Sequence, residues 1–291
     1  MNFTLFKQLT RFEQTLFGLP FILSGALLPC ITQQAQVHFE IRWLWILPAF
    51  MAARISGMAF NQVIDRYIDA DNPRTQRRLI PSGIVSSRKA YVVATIFLLL
   101  FLFFCSQINL PTLYLSLFAA FLLVVYSYTK RVTSLSHFVL GMIHFLGSSM
   151  ACIAITGTLT LVSLLFACIS MMLIIGVDII YALQDIKFDG KQGLHSLPVR
   201  LGIYRAQKVA QLAHFICVSL LVLMGLLAHF TLFYYFAPLL SSLALCFLHL
   251  KAHKELQREE QLIGFEPTFF YCTVIVSFST LTFLLLQWIY S

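Results

Sequence analysis

Leu161-Val-Ser-Leu-Leu-Phe166-Ala-Cys-Ile-Ser170-Met-Met-Leu-Ile-Ile175-Gly-Val-Asp178-Ile-Ile-Tyr181-Ala-Leu-Gln184-Asp185-Ile-Lys187-Phe-Asp189 is a long apolar run that closes on carboxylates. About 20 apolar residues in helical form span the ~30 Å hydrocarbon core of a bilayer. A carboxylate at the centre of such a helix costs about 2.5–3.5 kcal/mol, and less near its ends. The same arrangement occurs earlier, where Asn61-Gln-Val-Ile-Asp65-Arg-Tyr-Ile-Asp69 closes another apolar stretch, with Asp71 just beyond. Asn61, Asp65 and Asp69 map onto Tyr181, Asp185 and Asp189 with one constant offset. Acids at equivalent helix ends point to a shared task, the gripping of divalent cations.

Working outward, 59% of the 291 residues are hydrophobic. No soluble fold buries so much apolar surface, so the chain reads as an all-α, polytopic membrane protein. Nine windows have the length of a span: 13–31, 42–66, 88–107, 110–128, 136–156, 159–184, 205–228, 232–250 and 268–289. The N-terminus has no short apolar core with a small-residue cleavage site, so the first window counts as a true span. Without low-complexity linkers, residues 1–291 form a single expected membrane domain. The offset further implies two four-helix halves, with spans 2 and 6 equivalent and span 9 appended.

Basic residues set the orientation. Lys7 and Arg11 precede span 1; Arg66, Arg74, Arg77, Arg78, Arg88 and Lys89 lie between spans 2 and 3; Lys130 and Arg131 follow span 4. Lys187, Lys191, Arg200, Arg205 and Lys208 lie between spans 6 and 7, and Lys251, Lys254 and Arg258 between spans 8 and 9. All fall on one side of a nine-span chain, the side expected in the cytoplasm; Arg42 is the exception among the opposite loops. The net charge of +8 thus needs no nucleic-acid partner. The seven cysteines are scattered in or at the ends of spans without a Cys-x-x-Cys pair and read as buried apolar thiols.

Asn61 and Asp65, four residues apart, share a helix face, and Asp69 lies within about a quarter turn of it if the helix persists. Asp185 and Asp189 repeat the spacing, with Tyr181 and Asp178 one and two turns deeper. Crowded carboxylates repel or take up protons unless a cation neutralises them. Hard oxygen donors suit Mg²⁺, which keeps waters and bridges carboxylates to substrate phosphates. Lys130 and Arg131, after Tyr126-Ser-Tyr128-Thr, and Arg74, Arg77 and Arg78, before Pro81-Ser-Gly83, supply phosphate-neutralising charge. Arg54 lies inside span 2 on one stripe with Met58, Asn61 and Asp65; it either binds an anion or pairs with an acid such as Asp178 or Glu13. His195, in Gly193-Leu-His195-Ser196, is placed to donate to a phosphate or take a proton.

These residues resemble the UbiA superfamily of membrane prenyltransferases. Its first signature appears as Arg54, Gly57, Asn61, Asp65 and Asp69, then Arg74-Thr75, Arg78 and Pro81-Ser82-Gly83. Its second appears as Asp178, Tyr181, Asp185 and Asp189, and its Tyr-x-x-x-Lys-Arg element as Tyr126, Lys130 and Arg131. Gln62 stands where many members have Asp. The segments Phe12-Glu13-Gln14-Thr15-Leu16-Phe17 and Gln184 to Ser196 resemble the branch named for 4-hydroxybenzoate polyprenyltransferase, which includes the MqnP-like enzymes of the futalosine menaquinone route.

The resemblance implies a nine-helix UbiA-type bundle that transfers a polyprenyl group from a polyprenyl diphosphate to a ring carbon of an aromatic carboxylate. The acceptor would be of the 4-hydroxybenzoate or 1,4-dihydroxy-6-naphthoate type, for ubiquinone or menaquinone synthesis. It implies Mg²⁺ on Asn61, Asp65, Asp69, Asp185 and Asp189, with these four aspartates and Tyr181 as catalytic residues. Arg74, Lys130 and Arg131 would join Asn61 at the diphosphate. Arg54, Glu13, Gln14, Asp178 and His195 would be nearest the acceptor. The site would open on the cytoplasmic face of the inner (plasma) membrane, the bilayer itself being a partner. Haem farnesylation on the same scaffold and an ion-coupled transporter are the competing readings. The acids cluster at one face without a relay across the bilayer, which counts against transport.

Overall fold

Hydrocarbon offers backbone groups no water, so each apolar run must close its hydrogen bonds within a helix. In the computed structural model, which describes residues 3–32, 40–259 and 265–290, they do so. The helices are α1 (Phe3–Thr10), α2 (Thr15–Thr32), α3 (Ile46–Ile64), α4 (Arg66–Asp71), α5 (Ser87–Ser106), α6 (Leu110–Val132) and α7 (Ser136–Thr156). They continue with α8 (Leu161–Ala182), α9 (Ile186–Lys191), α10 (Leu197–Leu201), α11 (Ile203–Leu227), α12 (Phe236–Glu259) and α13 (Glu266–Tyr290). Among the described residues there is no strand. The side chain of Arg258 lies outside the described residues.

Nine helical segments among the described residues are long and apolar enough to cross a membrane: Phe12–Thr32, Ile41–Ile64, Ser87–Ser106, Leu110–Val132, Ser136–Thr156, Leu161–Lys191, Ile203–Leu227, Leu232–Gln257 and Glu266–Tyr290. The chain is a multi-pass membrane protein. The spans expected to end at 128, 184 and 250 run on to Val132, Lys191 and Gln257. Each overrun lies at the basic end of its helix and carries Lys or Arg. Hydropathy marks where hydrocarbon stops, whereas the helical hydrogen bonds continue past it.

Local chemistry sets the helix ends. Ser86 Oγ accepts from Lys89 N–H at the start of α5, and Thr160 Oγ1 from Ser163 N–H at the start of α8. Gly157, at φ +74°, ends α7 in the left-handed conformation that a glycine adopts without strain.

The helices group into two compact units, one of Met1–Thr15 with Phe39–Thr129 and one of Leu16–His38 with Lys130–Ser291. In the first, α3 packs on α5, where Ser56 Oγ donates to the Ala94 carbonyl at 2.9 Å. Leu9, Val63, Leu79, Ile80, Val85 and Ala90 form its apolar seam with α1. In the second, α8 lies against α7 and α11. Ser148 and Ser170 bond at 2.9 Å, and Gly176 leaves room for His214, whose Nε2 would lie 2.4 Å from a Cβ there. These units do not follow the expected division into helices 1–4 and 5–8, because α2 belongs with the second. Its Gly25 packs so closely on α7 that a Cβ would stand 2.8 Å from the Ser148 carbonyl, and Phe21 meets Phe166 at 5.8 Å.

Candidate functional site

The first acidic cluster sits where a spanning helix breaks. Asp65 stands between α3 and α4 with φ −88° and ψ 4°, the sparsely populated bridge region, rather than helical angles. The amide of Asp69 still donates to the Asp65 carbonyl at 2.7 Å, so the chain continues as a short offset helix. Asn61 Nδ2 donates to Asp65 Oδ2 at 2.8 Å and to Ser127 Oγ at 3.3 Å. With its nitrogen so engaged, the Asn61 amide has its oxygen fixed in direction, an acceptor beside a carboxylate.

Asp69 is held differently. Arg78 Nη1 lies 2.7 Å from its Oδ2, with the two side chains 18% and 9% exposed. Its backbone carbonyl accepts from Thr75 Oγ1 at 3.1 Å. Arg74 donates its backbone N–H to Asn72 Oδ1 at 2.9 Å in an Asx turn, its side chain half-buried, while Arg77 is exposed. Arg66 turns to the Val63 carbonyl at 2.8 Å and stacks over Tyr67. Thus Arg78 makes an ion pair within the cluster, a role that spacing alone did not single out.

Deeper in the same unit, Arg54 Nη2 donates to Gln14 Oε1 at 2.9 Å, bringing together two residues named for the acceptor. Glu13, one residue away, is exposed and pairs with Lys7 at 2.9 Å. Gln62 is 2% exposed and donates to the backbone carbonyl of Leu9. It ties α3 to α1 about 100° round the helix from Asn61.

The second cluster repeats the backbone of the first. Asp185 has φ −101° and ψ 2°, at a break formed by the 3₁₀ turn Leu183–Asp185 between α8 and α9. Positions 61–70 and 181–190 match in burial class one for one, except that Asp65 is half-buried and Asp185 buried. Asp189 is buried like Asp69, and its carbonyl accepts from Leu194 N–H at 2.9 Å. Tyr181, in the place of Asn61, donates from its hydroxyl to Glu266 Oε1 at 2.9 Å and packs on Phe269 at 5.1 Å. Asp178 Oδ2 lies 2.6 Å from His137 Nδ1.

Lys130 and His195 meet through the backbone: His195 N–H donates to the Lys130 carbonyl at 2.7 Å. Gly193, at φ +65°, makes the turn that permits this. The His195 and Arg131 side chains are exposed and that of Lys130 is half-buried. Reading the sequence missed Ser127, Glu266 and His137, and it named Arg78 for phosphate charge without its pairing to Asp69. Each meets its partner from another helix or across a loop, so no local spacing signals it.

Among the described residues, no three His, Cys, Asp or Glu side chains converge into a metal cage of their own. Carboxylate and amide oxygens at a helix break nevertheless fit Mg²⁺, which takes one or two protein carboxylates and completes its octahedron with water and phosphate.

Comparison with known proteins follows the same lines. The model of the UbiA prenyltransferase family matches residues 19–274. The chain is 32% identical over 188 residues to a 4-hydroxybenzoate octaprenyltransferase of Nitrosomonas eutropha, an alignment covering 65% of each chain, slightly under two thirds of the relative's length. A 4-hydroxybenzoate octaprenyltransferase of Xanthomonas campestris is 29% identical over 218 residues, 73% of this chain and 72% of that one. Among solved structures, the apo UbiA homolog from Aeropyrum pernix K1 shares the fold with a TM-score of 0.81 at 24% identity, covering 94% of this chain and 98% of that one. The UbiA homolog from Archaeoglobus fulgidus bound to GPP and Mg²⁺ has a TM-score of 0.68 at 20% identity, over 97% and 99% of the two chains.

Proposed function

The chain belongs to the UbiA prenyltransferase family, and from that premise we propose that it transfers a polyprenyl group from a polyprenyl diphosphate to a ring carbon of an aromatic carboxylate. The acceptor is of the 4-hydroxybenzoate or 1,4-dihydroxy-6-naphthoate type, and the product a quinone precursor. The observation that carries the reading is the pair of equivalent helix breaks, with Asp65 and Asp185 in the same backbone conformation and Asp69 and Asp189 one turn on. Such duplication serves a ligand with two like-charged ends to neutralise. A diphosphate with its counter-cations meets that description. The relatives named as 4-hydroxybenzoate octaprenyltransferases support the acceptor class, and the segment from Gln184 to Ser196 supports the branch that includes both acceptors.

In this reading Asn61, Asp65, Asp69, Asp185 and Asp189 hold Mg²⁺. Bound there, the metal supplies electrostatic stabilisation of the departing diphosphate. Arg74, Lys130 and Arg131 neutralise further phosphate charge. Asn61 is oriented by Ser127, and Arg78 fixes the Asp69 carboxylate in direction. Arg54, steadied by Gln14, faces the acceptor carboxylate, with which a guanidinium forms two parallel hydrogen bonds. The apolar helices exclude water from an allylic cation that water would quench. The breaks lie at the basic ends of the spans, which by the positive-inside rule supports a site on the cytoplasmic side.

The test is to incubate membranes containing the protein with Mg²⁺, a polyprenyl diphosphate and either acceptor, with Asp65→Asn as control. A prenylated ring by mass spectrometry, released diphosphate and dependence on Mg²⁺ are expected. Intact, inserted protein that yields no product from either acid would overturn the reading.

A further inference from the structure

Within α8, residues 173–180 are buried except Asp178, whose carboxylate keeps accessible surface. An intramembrane carboxylate does not turn that surface to lipid; it turns to a polar space or a ligand. Asp178 lies three and seven residues before Tyr181 and Asp185, hence on one helical stripe with them, and about 10 Å deeper than Asp185. The stripe runs from the acidic break into the interior. Lys130 and His144 act on Asp178 electrostatically, so the group sits within the field of a cation assigned to the donor diphosphate.

His137, in the first turn of α7, holds this carboxylate from behind. Its Nδ1 is 2.6 Å from Asp178 Oδ2; the imidazole is 0% exposed and the carboxylate 17%. His137 Nε2 is buried with no hydrogen-bond partner among the described residues. An orphaned buried N–H is rarer than an under-used acceptor. The hydrogen therefore belongs on Nδ1, which donates to Asp178, and Nε2 carries only its lone pair. His137 has no surface with which to meet a substrate; its work is done through Asp178.

We propose that His137 is a positioning residue for the aromatic acceptor: it fixes one oxygen of Asp178 so that the other accepts the hydrogen bond of the acceptor's ring hydroxyl. This rests on the prenyl-transfer reading and adds to it the group that recognises the hydroxyl. A carboxylate accepting from a phenol increases the electron density of the ring carbon beside it, the carbon that attacks the allylic centre. A site built to bind a hydroxyl also discriminates against rings that lack one, because its buried acceptor would be left unpaired.

The experiment compares His137→Leu, His137→Asn and His137→Gln in the full-length purified protein. Binding of 4-hydroxybenzoate and 1,4-dihydroxy-6-naphthoate is measured first, without turnover, and then KM for acceptor and donor. The Asn amide nitrogen occupies the place of Nδ1, whereas that of Gln reaches the place of Nε2. The expected result is acceptor affinity weakened about tenfold to a hundredfold in His137→Leu and His137→Gln. In His137→Asn it stays within a few-fold of wild type, and donor KM changes less than twofold in all three. If the Leu variant fails to insert, the Asn and Gln pair decides alone. Acceptor affinity unchanged by Gln, equal damage from Asn and Gln in inserted protein, a loss confined to donor KM, or no binding of either acid to wild type would each overturn the proposal. Binding with this pattern but no turnover would sink the transfer reaction and leave the assignment of His137 standing.

Discussion

The two acidic clusters share a backbone and differ in how their side chains are held. Asp65 and Asp185 interrupt their helices with the same angles, and the burial pattern around them is nearly superimposable. Yet the first cluster has an ion pair of its own, Arg78 on Asp69, and an amide, Asn61, on Asp65. The second has Tyr181 in the place of that amide, and the hydroxyl turns to Glu266. After Asp69 the chain passes through a loop carrying Arg74, Arg77 and Arg78; after Asp189 it makes a short turn through Gly193 to Ser196, which caps α10. Backbone geometry is thus what the two clusters share, and the side-chain contacts just named are where they differ. In the proposed reading the acids share one task, the holding of Mg²⁺.

The largest expected effect tests the common part. Asp65→Asn and Asp185→Asn should each lower kcat/KM by roughly 10²–10³-fold, the scale for losing one group that stabilises developing negative charge. Both proteins should insert normally. Steady-state assays across a Mg²⁺ titration check this; a variant at full activity would break the equivalence of the clusters. Next in size, Arg54→Ala should raise acceptor KM about tenfold to a hundredfold, as for a lost hydrogen bond to a charged group. Gln14→Leu, which removes one hydrogen-bond partner of Arg54 and leaves the guanidinium, should raise it less. The reverse order would make Gln14 the binding group.

Much of this was legible in the residues. The nine spans were, because hydrocarbon thickness fixes run length, and the overruns at Val132, Lys191 and Gln257 mark where hydropathy ceases to measure a helix. The clusters were legible because charge in an apolar run is costly and so stands out. The helix breaks at Asp65 and Asp185 were not, since i, i+4 spacing reads as unbroken helix. Nor was the bond from Arg54 to Gln14: an Arg in a span calls for a partner, but that Gln14 supplies one depends on how Phe12–Gln14 passes over α3. Asp178 with His137 is the same kind of fact, decided by helices α7 and α8 meeting.

A smaller effect sharpens the difference between the clusters. Arg78→Met removes the counter-charge of Asp69 and should cost roughly 1.5–3 kcal/mol of stability, the value of a charged hydrogen bond. With its carboxylate no longer fixed, the first cluster should need about tenfold more Mg²⁺ for half-maximal rate. Differential scanning fluorimetry and the Mg²⁺ titration test both. An unchanged Mg²⁺ requirement would mean that Asp69 is positioned by the backbone alone.

The smallest effect on activity is expected at Gln62, where the chain departs from the usual acid of its family. Position 182, its counterpart in the second cluster, is Ala, and both residues are 2% exposed. Neither copy therefore places a metal-facing group there, and the Gln62 amide is occupied with the Leu9 carbonyl. Gln62→Leu should leave kcat within twofold while lowering stability by about 1–3 kcal/mol, since the Leu9 carbonyl would be left buried without a donor. Gln62→Asp should do worse, because a carboxylate set against a carbonyl offers one acceptor to another. The readout is thermal stability beside activity in the same preparation. If Gln62→Asp instead keeps its stability and lowers the Mg²⁺ requirement, the side chain must have swung to the Asn61 face. The first cluster would then hold its metal with a donor that the second does without.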